Sequence, residues 1–576
     1  MSISSVAHRI TTDLLIVGGG SAGLWAAHRF SELEPDRSAC IVDKGPCDWG
    51  GLMTMAGGDF DAVLPGEDVN AWLNDFIYYF DGLCDQPLMK TILSRSADRM
   101  ADYQRFGCEF LRKPDGSYKS VPQRGLDNVK LYPAQLKGRG GELMVKNLVA
   151  CLKDRKVQRL GRIFLTDYLT RDGRVCGAVG FDTISGDFYI FEAQVVIAAT
   201  GMGGWKTSYG KNTPTGEGMA MAYAVGAHLK DFEFARVWNM PRYFGWEGQT
   251  TLMPLGGRFV NGKGEPFMER YSPVLGANTD PHYTTIAMAM EVRAGRGPII
   301  FDLSRINPDN LVLLKPQNGW QKLNSDKLGT LGMDLFKDPT EWVPQITVAY
   351  GGIKANADGL TNVEGLLAAG TARSTEPGVY AGGFALMTTS VTGHLAGETA
   401  STLVRNLPEA KADTSDAALK PYRDNIYAPL MRKGVMYKEV LTKIQQTIFP
   451  YDVSILKTET ALARALEQLV RIREEDMPRM AASDPHYLLK TRETEAVAFI
   501  SELYVRASLE RRETRAGHFR EDYPRRDDSA LAWLCLHKGK DGLPKFFTER
   551  VPLESYPFPV TRYYQDNFRF TEDLGE

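Results

Sequence analysis

The apolar positions near the start of the chain change from a strand pattern to a helix pattern and back. The short apolar run from Asp13 to Val17 predicts a buried parallel strand. Leu24 to Leu33 places apolar residues at helical spacing, and Ala39 to Asp43 is a second apolar run that ends in an acid. Gly18 to Gly23 separates the first strand from the helix. This order of strand, turn, helix and strand predicts an α/β fold with a Rossmann-like dinucleotide-binding domain.

The glycine-rich turn carries the chemistry of this prediction. Gly18 allows the tight turn, Gly20 lets backbone N–H groups approach a pyrophosphate, and Gly23 lets the helix pack closely on the strand. The start of the helix adds partial positive charge and unpaired N–H donors for the phosphates. Asp43, at the end of the second strand, is expected to accept hydrogen bonds from ribose hydroxyls.

Later apolar segments favour FAD over NAD as the dinucleotide. Gln194 to Gly201 is typical of another strand, and so is Gly365 to Gly370. Gly382-Gly383 then lead into a predicted helix from Thr388 to Ala400. The N-terminus of that helix would face the flavin pyrimidine ring and stabilise negative charge there. The cofactor domain is therefore predicted to be split by an inserted segment.

Changes of pattern along the chain predict three domains. They are a split FAD-binding domain of residues 1–230 and 346–405, a capping domain of residues 231–345, and a helical C-terminal domain of residues 406–576 that ends in an extended tail. Helical periodicity is clearest from Thr460 to Ile472 and from Arg492 to Leu509. The substrate is expected between the first two domains, because small-molecule sites tend to form at domain interfaces.

The predicted cofactor residues lie in the glycine turn, after the second strand, in the loop beyond it, and at the ends of the later strands and helices. They are Gly18, Gly20, Ser21, Ala22, Gly23, Asp43, Lys44, Gly50, Gly51, Gly57, Gly58, Ala199, Thr200, Gly201, Glu217, Gly370, Thr371, Ala385 and Leu386.

Composition and charge narrow the function classes. The formal charge of -3 at pH 7 gives no electrostatic reason to bind nucleic acid or acidic membranes. No segment of the sequence is long and apolar enough to span a bilayer, and we expect a cytoplasmic protein. The 7 cysteines are scattered without a C-x-x-C pair, so an iron–sulfur cluster would have to lie on another polypeptide. The histidines lack the spacing of metal ligands, and no metal site is expected.

Further motifs carry a resemblance to a known family. In chain order they are Val17 to Gly23, Gly57-Gly58, Thr215 to Ala222, Asp231 to Phe234, Gly257 to Asn261, Met268 to Tyr271, Glu291 to Gly297, Gly351 to Ile353 and Thr514 to Pro524. As a set they resemble the flavoprotein subunits of the succinate dehydrogenase/fumarate reductase superfamily. The resemblance covers nearly the whole chain and implies an FAD domain, a capping domain and a helical C-terminal domain.

The chain departs from this family where flavin and dicarboxylate are held. Members with covalent flavin attach it to a histidine at the position of Gly51, so the resemblance implies non-covalent FAD. Members acting on fumarate, succinate or aspartate carry histidines and arginines at places that here read 235–239, 280–283, Tyr350 and Tyr380. Arginines bind carboxylates through paired, charge-assisted hydrogen bonds. Without them, a typical fumarate reductase, succinate dehydrogenase or aspartate oxidase is not expected.

Two branches of the superfamily remain. Met288 to Ile299 is similar to the α subunit of adenylylsulfate reductase, whose FAD is non-covalent and whose electrons pass through a ferredoxin-like subunit. Tyr380 to Gly383 is loosely similar to ketosteroid dehydrogenases, in which a tyrosine polarises a keto group. The first branch is favoured for the architecture.

The candidate catalytic residues are Arg236, Trp238, His282 and Tyr380. Arginine alternating with aromatic residues can bind an anion beside a planar ring, although packing between domains is an equal alternative. The same stretch also contains Arg242, Tyr243 and Trp246. His282 lies where the family's proton-donating arginine is expected, but the Asp-Pro pair before it equally predicts a surface turn.

The sequence therefore predicts an FAD-dependent oxidoreductase that performs two-electron chemistry on a small anionic substrate other than a dicarboxylate. It is expected to exchange electrons with a separate ferredoxin-like iron–sulfur subunit. Two alternatives stay open. One is a ketosteroid-dehydrogenase-like enzyme that acts on a keto substrate through Tyr380, and the other is a scaffold flavoprotein in which FAD stabilises the fold without catalysis.

Overall fold

The computed structural model describes residues 6–134, 140–208, 212–245, 252–253, 255–307, 325–375 and 377–569. The strands are Ala7–Val17 (β1), Ala39–Asp43 (β2), Phe60–Asp61 (β3), Val121–Pro122 (β4), Lys130–Tyr132 (β5), Val157–Gly161 (β6), Ile163–Arg171 (β7), Arg174–Asp182 (β8), Phe188–Ala198 (β9), Leu229–Lys230 (β10), Ala235–Pro241 (β11), Arg258–Val260 (β12), Ile299–Asp302 (β13), Thr340–Ala349 (β14), Gly352–Ile353 (β15), Leu366–Ala368 (β16), Val435–Met436 (β17), Met480–Ala481 (β18), Ala532–Lys538 (β19) and Pro544–Arg550 (β20). The α-helices are Ser21–Leu33 (α1), Val69–Tyr79 (α2), Gln86–Arg105 (α3), Gly140–Cys151 (α4), Glu217–Ala224 (α5), Met268–Tyr271 (α6), Pro281–Arg293 (α7), Phe384–Asn406 (α8), Asp416–Tyr427 (α9), Tyr437–Ile448 (α10), Tyr451–Ser454 (α11), Glu459–Arg471 (α12) and Pro485–Glu510 (α13).

The largest sheet confirms the predicted Rossmann-like fold class. Its strand order is β6-β2-β1-β9-β8-β7, and β16 pairs with β9. β1 lies parallel to both β2 and β9, as a crossover through a helix such as α1 requires. Leu14, Leu15 and Ile16 are fully buried, as expected for a strand covered on both faces. β1 begins at Ala7, ahead of the predicted start at Asp13, because its partly exposed first half also pairs with β9.

Helix α8 packs along α1 because glycines let the two backbones approach. A Cβ at Gly393 would lie 2.4 Å from the carbonyl oxygen of Ala22, and one at Gly397 would lie 2.6 Å from that of Ala26. α8 begins at Phe384 rather than at the predicted Thr388, so its N-terminus directly follows the second glycine of the Gly-Gly pair. The starts of α1 and α8 thus lie at the same end of the sheet.

An antiparallel sheet with the order β11-β14-β13-β12 lies in the segment predicted as the cap. Helix α7 packs against β11 and β14. β14 continues to Ala349, past the predicted cap boundary at residue 345, so one unbroken strand carries the chain back toward the FAD-binding fold. The division into domains stays a prediction.

The chain beyond residue 405 is mainly helical in its described part, from α9 to α13. The tail differs from the expected extended chain, because β19 and β20 form an antiparallel hairpin and β19 also pairs with β10. The apolar residues Cys535 and Leu536 are fully buried in this pairing. No helix in the described ranges is long and apolar enough to cross a membrane.

Candidate functional site

A cavity of about 480 Å³ lies at the carboxyl ends of β1, β2 and β9, where ligands of open α/β sheets bind. Its lining extends from the glycine turn to the start of α8 and to β11 of the cap sheet. The predicted cofactor residues in its wall are Gly18, Gly20, Ser21, Ala22, Asp43, Lys44, Gly50, Gly51, Gly57, Gly58, Ala199, Thr200, Gly201, Glu217, Thr371, Ala385 and Leu386. Gly23 and Gly370 are not in the wall.

Close backbone contacts shape the glycine turn. Gly18 has φ +110°, and a Cβ there would lie 2.3 Å from the carbonyl oxygen of Ala199. A Cβ at Gly23 would lie 2.0 Å from the carbonyl oxygen of Gly18, so this glycine packs α1 against the turn behind the wall. Gly20 is the N-cap of α1, and no side chain in the described part of the chain caps it. The N–H groups at the start of α1 are therefore suited to hold a pyrophosphate.

Gly370 also supports the wall from behind. It has φ +63°, and a Cβ there would lie 2.6 Å from the Cβ of Ala22. A side chain at this position would push the start of α1 away from the 370–372 turn. Gly370 therefore acts through packing.

Asp43 is held by backbone on both sides. Its Oδ2 accepts a hydrogen bond from Gly19 N at 2.7 Å, and its Oδ1 accepts one from Gly45 N at 2.7 Å. Each carboxylate oxygen has a further lone-pair direction, so this fixed carboxylate can still accept from a hydroxyl. The geometry is compatible with the predicted ribose contact, which stays a prediction.

Lys44 belongs to an ion network at the same end of the cavity. Its Nζ lies 2.7 Å from Glu217 Oε1 and 2.9 Å from Glu493 Oε1, and Lys206 Nζ lies 2.6 Å from Glu493 Oε2. Burial alone would raise the pKa of Glu493, but the surrounding lysines hold it well below its usual range. Sequence reasoning missed Glu493 because it comes from α13, far along the chain from the other members.

Residues around the start of α8 were also missed. The side-chain amide of Gln123 clamps the Gly382 peptide, accepting from Gly382 N at 3.2 Å and donating to Gly382 O. Asp59 and Arg124 line the same part of the cavity. Burial raises the pKa of Asp59 to about 6. Burial lowers the pKa of Arg124, although Asp280 opposes this.

The cap contributes a cationic and aromatic wall, formed by Arg236, Trp238 and Tyr380. Arg236 and Trp238 share one face of β11 because side chains alternate along a strand. The guanidinium carbon of Arg236 lies 4.2 Å from the centre of the Tyr380 ring and 5.5 Å from that of Trp238. The two rings meet edge to face at 5.1 Å. Because Arg236 is only 6% exposed, this wall is a desolvated cation flanked by aromatic rings.

The indole N–H of Trp238 is a further polar group of the wall. Its Nε1 is buried and has no hydrogen-bond partner among the described residues. Buried indole N–H groups normally find a partner, so this donor is suited to a ligand in the cavity.

His282 lies behind the wall rather than in it. It is fully buried in the first turn of α7, and the side chain of Asp280 caps that helix. Its Nε2 lies 3.2 Å from the hydroxyl of Tyr350, which accepts a hydrogen bond from Arg236 Nε at 3.1 Å. The Asp-Pro pair therefore starts a buried helix and not a surface turn. His282 does not line the cavity: it meets the lining residue Trp238 edge to face at 5.8 Å and reaches the lining residue Arg236 through Tyr350, in contrast to the predicted direct role.

Arg242 and Tyr243, the described residues of the predicted cluster beyond the wall, do not line the cavity. Arg242 pairs with Glu341 at 2.7 Å, and the side chain of Tyr243 is 46% exposed. Of the alternating arginine and aromatic residues, Arg236 and Trp238 on β11 line the cavity, and β11 ends at Pro241. Trp246 lies outside the described residues.

The wall of the cavity fits FAD. The uncapped start of α1, the fixed carboxylate of Asp43 and the glycine turn fit the dinucleotide, and the start of α8 fits an electron-rich ring. Gly51 has φ +75°, and a Cβ there would lie 2.9 Å from Gly20 Cα, so the turn leaves little room for a side chain at this position. When bound, FAD supplies two-electron redox chemistry.

Comparisons with known proteins agree with this site. The FAD binding domain family matches residues 13–385, and the fumarate reductase flavoprotein C-terminal family matches residues 442–564. The chain is 26% identical over 535 residues to a chain of the fumarate reductase (CoM/CoB) of Methanothermobacter marburgensis, covering 89% of this chain and 94% of that protein. It is also 26% identical to the fumarate reductase flavoprotein subunit of Mycobacterium tuberculosis, covering 96% of this chain and 99% of that protein.

Solved structures share the fold. The FrdA chain of quinol fumarate reductase from Escherichia coli superposes with a TM-score of 0.85 at 23% identity, over 96% of this chain and 98% of that one. Adenylylsulfate reductase from Archaeoglobus fulgidus superposes with a TM-score of 0.81 at 19% identity, over 96% and 98%. The family match spans more than half of the chain. The chain is therefore an FAD-dependent oxidoreductase that belongs to the FAD binding domain family, within the fumarate reductase/succinate dehydrogenase flavoprotein group.

Proposed function

We propose that this chain performs two-electron redox chemistry on a small anionic substrate other than a dicarboxylate, at the wall formed by Arg236, Trp238 and Tyr380. The observation that carries the proposal is the buried guanidinium of Arg236 in the cavity lining. A desolvated cation binds a substrate anion more strongly than an exposed one, because water competes less for the charge.

The polar groups of the wall support an anionic substrate. Arg236 offers a cation and Trp238 an indole N–H, and neither group is an acceptor. Arg124 adds a second guanidinium to the lining. A buried guanidinium interacts more strongly with an anion than with a neutral keto group, so the steroid-type alternative has less support.

The neutral residues near the wall support a substrate other than a dicarboxylate. Tyr350 and Tyr380 stand where the resemblance predicts carboxylate-binding histidine and arginine, and both pack close to Arg236. A dicarboxylate has a second charged end that needs its own clamp. Arg124 is the cation that would serve as that clamp, but Asp280 interacts with it and offsets its charge. A substitution of Arg124 therefore gives the sharpest test of this part of the proposal.

The cysteines support transfer of electrons to another polypeptide. Cys40, Cys47, Cys84, Cys108 and Cys535 are buried and separate free thiols. Burial raises the pKa of Cys40 to about 12, which disfavours the thiolate that ligates iron. We propose that a separate ferredoxin-like iron–sulfur protein exchanges electrons with FAD, and that the FAD is held non-covalently.

A binding titration of the FAD-loaded protein tests the substrate class. Acetate and nitrate serve as monoanions, fumarate and succinate serve as dicarboxylates, and the visible spectrum of the flavin is the readout. We expect the monoanions to perturb the spectrum in a saturable way, with an affinity that Arg236→Gln weakens about 100-fold. Tighter saturable binding of fumarate, lost in Arg124→Gln, would contradict the proposal.

Purification from the native host tests the partner. We expect an iron–sulfur protein to co-purify in proportion to the flavin. Rapid turnover of the isolated flavoprotein with NAD(P)H and dioxygen alone would contradict a dedicated partner. Under the scaffold alternative, alanine at Arg236 and Trp238 would leave the cellular redox function intact.

A further inference from the structure

A chain of hydrogen bonds runs from the cavity wall into the protein behind it. Arg236 Nε donates to the Tyr350 hydroxyl at 3.1 Å, and that hydroxyl lies 3.2 Å from His282 Nε2. His282 Nδ1 in turn lies 2.8 Å from Asp280 Oδ1. The histidine and the carboxylate are both 0% exposed. The redox site described above makes no use of this buried pair.

The surroundings of Asp280 fix which atoms carry protons. Its carboxylate accepts from His282 N at 2.8 Å, from the Tyr79 hydroxyl at 2.5 Å and from Tyr380 N at 3.2 Å. Burial alone would raise the pKa of Asp280, but His282 and these hydrogen bonds lower it. An ionised carboxylate has no proton to give, so His282 Nδ1 carries the hydrogen of that pair.

The protonation state of His282 decides whether the Tyr350 hydroxyl donates to the imidazole or accepts from it. In the neutral imidazole, Nε2 is an acceptor, so the Tyr350 hydroxyl donates to it and presents a lone pair to Arg236 Nε. In the imidazolium, Nε2–H is a donor, and the Tyr350 oxygen accepts from both sides. In either state Tyr350 holds Arg236 Nε, but the second state adds a positive charge close behind the wall.

We propose that His282 is a specificity-determining positioning residue, which orients Arg236 through Tyr350 and sets the positive charge that a bound anion experiences. This inference rests on the proposed anion site. It predicts that the affinity of the cavity for a monoanion is higher when the imidazole carries two protons than when it carries one. Over the distance from His282 to an anion at Arg236, one added unit of positive charge increases anion affinity on the order of tenfold.

Other charged groups near His282 could also change anion affinity with pH, so the experiment has to distinguish their effects from that of His282. From the elements packed around the imidazole, Asp280, Tyr79, Tyr350, Tyr380, Arg236 and Arg124 face this region. Gly517 packs on the edge of the imidazole, and the titratable residues beside it, Arg515 and His518, contact Glu513 and Lys457. Within the lining, burial raises the pKa of Asp59 to about 6, so loss of the Asp59 charge at low pH would mimic the effect of a proton gained by the imidazole.

The test is an acetate titration of the FAD-loaded protein between about pH 6 and pH 8.5, where acetate stays ionised and histidine titrates. The wild type, His282→Gln, Tyr350→Phe, Asp59→Asn and His228→Gln are compared, with the flavin spectrum as the readout. His228 is a half-buried histidine outside the cavity lining and serves as the matched control.

We expect the acetate affinity of the wild type to rise on the order of tenfold toward low pH. His282→Gln removes this slope, whereas Asp59→Asn and His228→Gln retain it. Tyr350→Phe keeps the imidazole charge but removes the hydroxyl to which Arg236 Nε donates, so it retains the slope and binds acetate more weakly at every pH. The last variant keeps the inference testable if His282→Gln fails to fold.

Two results would overturn the inference, and they differ from each other. A slope that persists in His282→Gln but disappears in Asp59→Asn, with acetate binding still dependent on Arg236, rejects the role of His282 alone. Absence of acetate binding at every pH, with FAD bound normally, rejects the proposed anion site and this inference with it.

Discussion

The two ends of the cavity are built in different ways. At the cofactor end, backbone groups and glycines form the wall, as with Gly18, Gly20 and the start of α1. At the cap end, side chains form the wall, as with Arg236, Trp238 and Tyr380. The difference teaches that a backbone-made site tolerates few residue types, whereas a side-chain-made site can change its ligand by substitution while the fold stays the same.

The cofactor end also contains side-chain groups, among them the ion network of Lys44, Glu217 and Glu493. It joins β2, α5 and α13 through side chains. The predictions below separate backbone from side-chain contributions at both ends, from the largest expected effect to the smallest.

Gly18→Ala tests the backbone cradle. The added Cβ would meet the carbonyl oxygen of Ala199 at 2.3 Å in a left-handed region of φ. We expect a loss of on the order of 4 kcal/mol in unfolding free energy and loss of bound FAD. Gly173→Ala is the matched control, because Gly173 has φ +81° but nothing within 4 Å of the added Cβ. Gly173→Ala should lower the unfolding free energy by about 1–2 kcal/mol and retain FAD. Equal losses of stability and of FAD in the two variants would contradict the role of the Gly18 backbone in FAD binding.

Glu493→Gln tests the ion network. The folded-state pKa of Glu493 is depressed, so its stabilisation is present above the unfolded pKa and is lost as pH falls through the folded value. We expect a loss of about 3 kcal/mol in unfolding free energy at neutral pH, with the gap to wild type narrowing below about pH 4. Denaturant unfolding across pH measures this. Glu495→Gln, on the same helix and paired with Arg492, should change stability by less than about 1 kcal/mol.

Arg236→Gln tests the cap end. Removal of the buried guanidinium is expected to weaken binding of the substrate anion about 100-fold without loss of FAD. Arg242 lies on the same stretch but pairs with Glu341 at the surface, so Arg242→Gln should leave both the anion affinity and the FAD affinity unchanged. The flavin-monitored titration gives both affinities. An unchanged affinity in Arg236→Gln would remove the wall from the account.

Trp238→Phe tests the indole N–H alone, since the aromatic ring is kept. We expect about fivefold weaker anion binding from the loss of one hydrogen-bond donor. Trp205→Phe is the control, because Trp205 Nε1 donates to Ser501 Oγ at 2.9 Å away from the cavity. That variant should lose stability and keep its anion affinity. Loss of stability with unchanged anion affinity in Trp238→Phe would mean that Trp238 contributes to packing rather than to anion binding.

The same contrast explains what the sequence could predict. The glycine turn and Asp43 lie within one short stretch whose spacing follows from backbone geometry, and both were found. Gln123 and Asp59 were missed because they flank the very short strands of the β3-β5-β4 sheet, where no periodicity can develop. The hairpin of β19 and β20 did have a signal, the Asp541-Gly542 pair between two apolar runs.

His282 shows the limit most clearly. Its position in the chain was singled out, but its depth depends on Asp280 capping α7 and on Tyr350 arriving from β14. The cap by Asp280 is local, and Asp-Pro is a helix-start signal, but the contact with Tyr350 joins segments far apart in sequence and no local pattern encodes it. The structure therefore changes its predicted role from contact with substrate to a position behind Arg236.

The most direct test of the central claim is the reoxidation of the chemically reduced, FAD-loaded protein by fumarate in an anaerobic stopped-flow experiment. The account predicts a rate no greater than the background without fumarate, because in the described part of the cap end Tyr350 and Tyr380 stand where a dicarboxylate would need its second clamp. Fast, saturable reoxidation by fumarate that depends on Arg236 and Arg124 would contradict it.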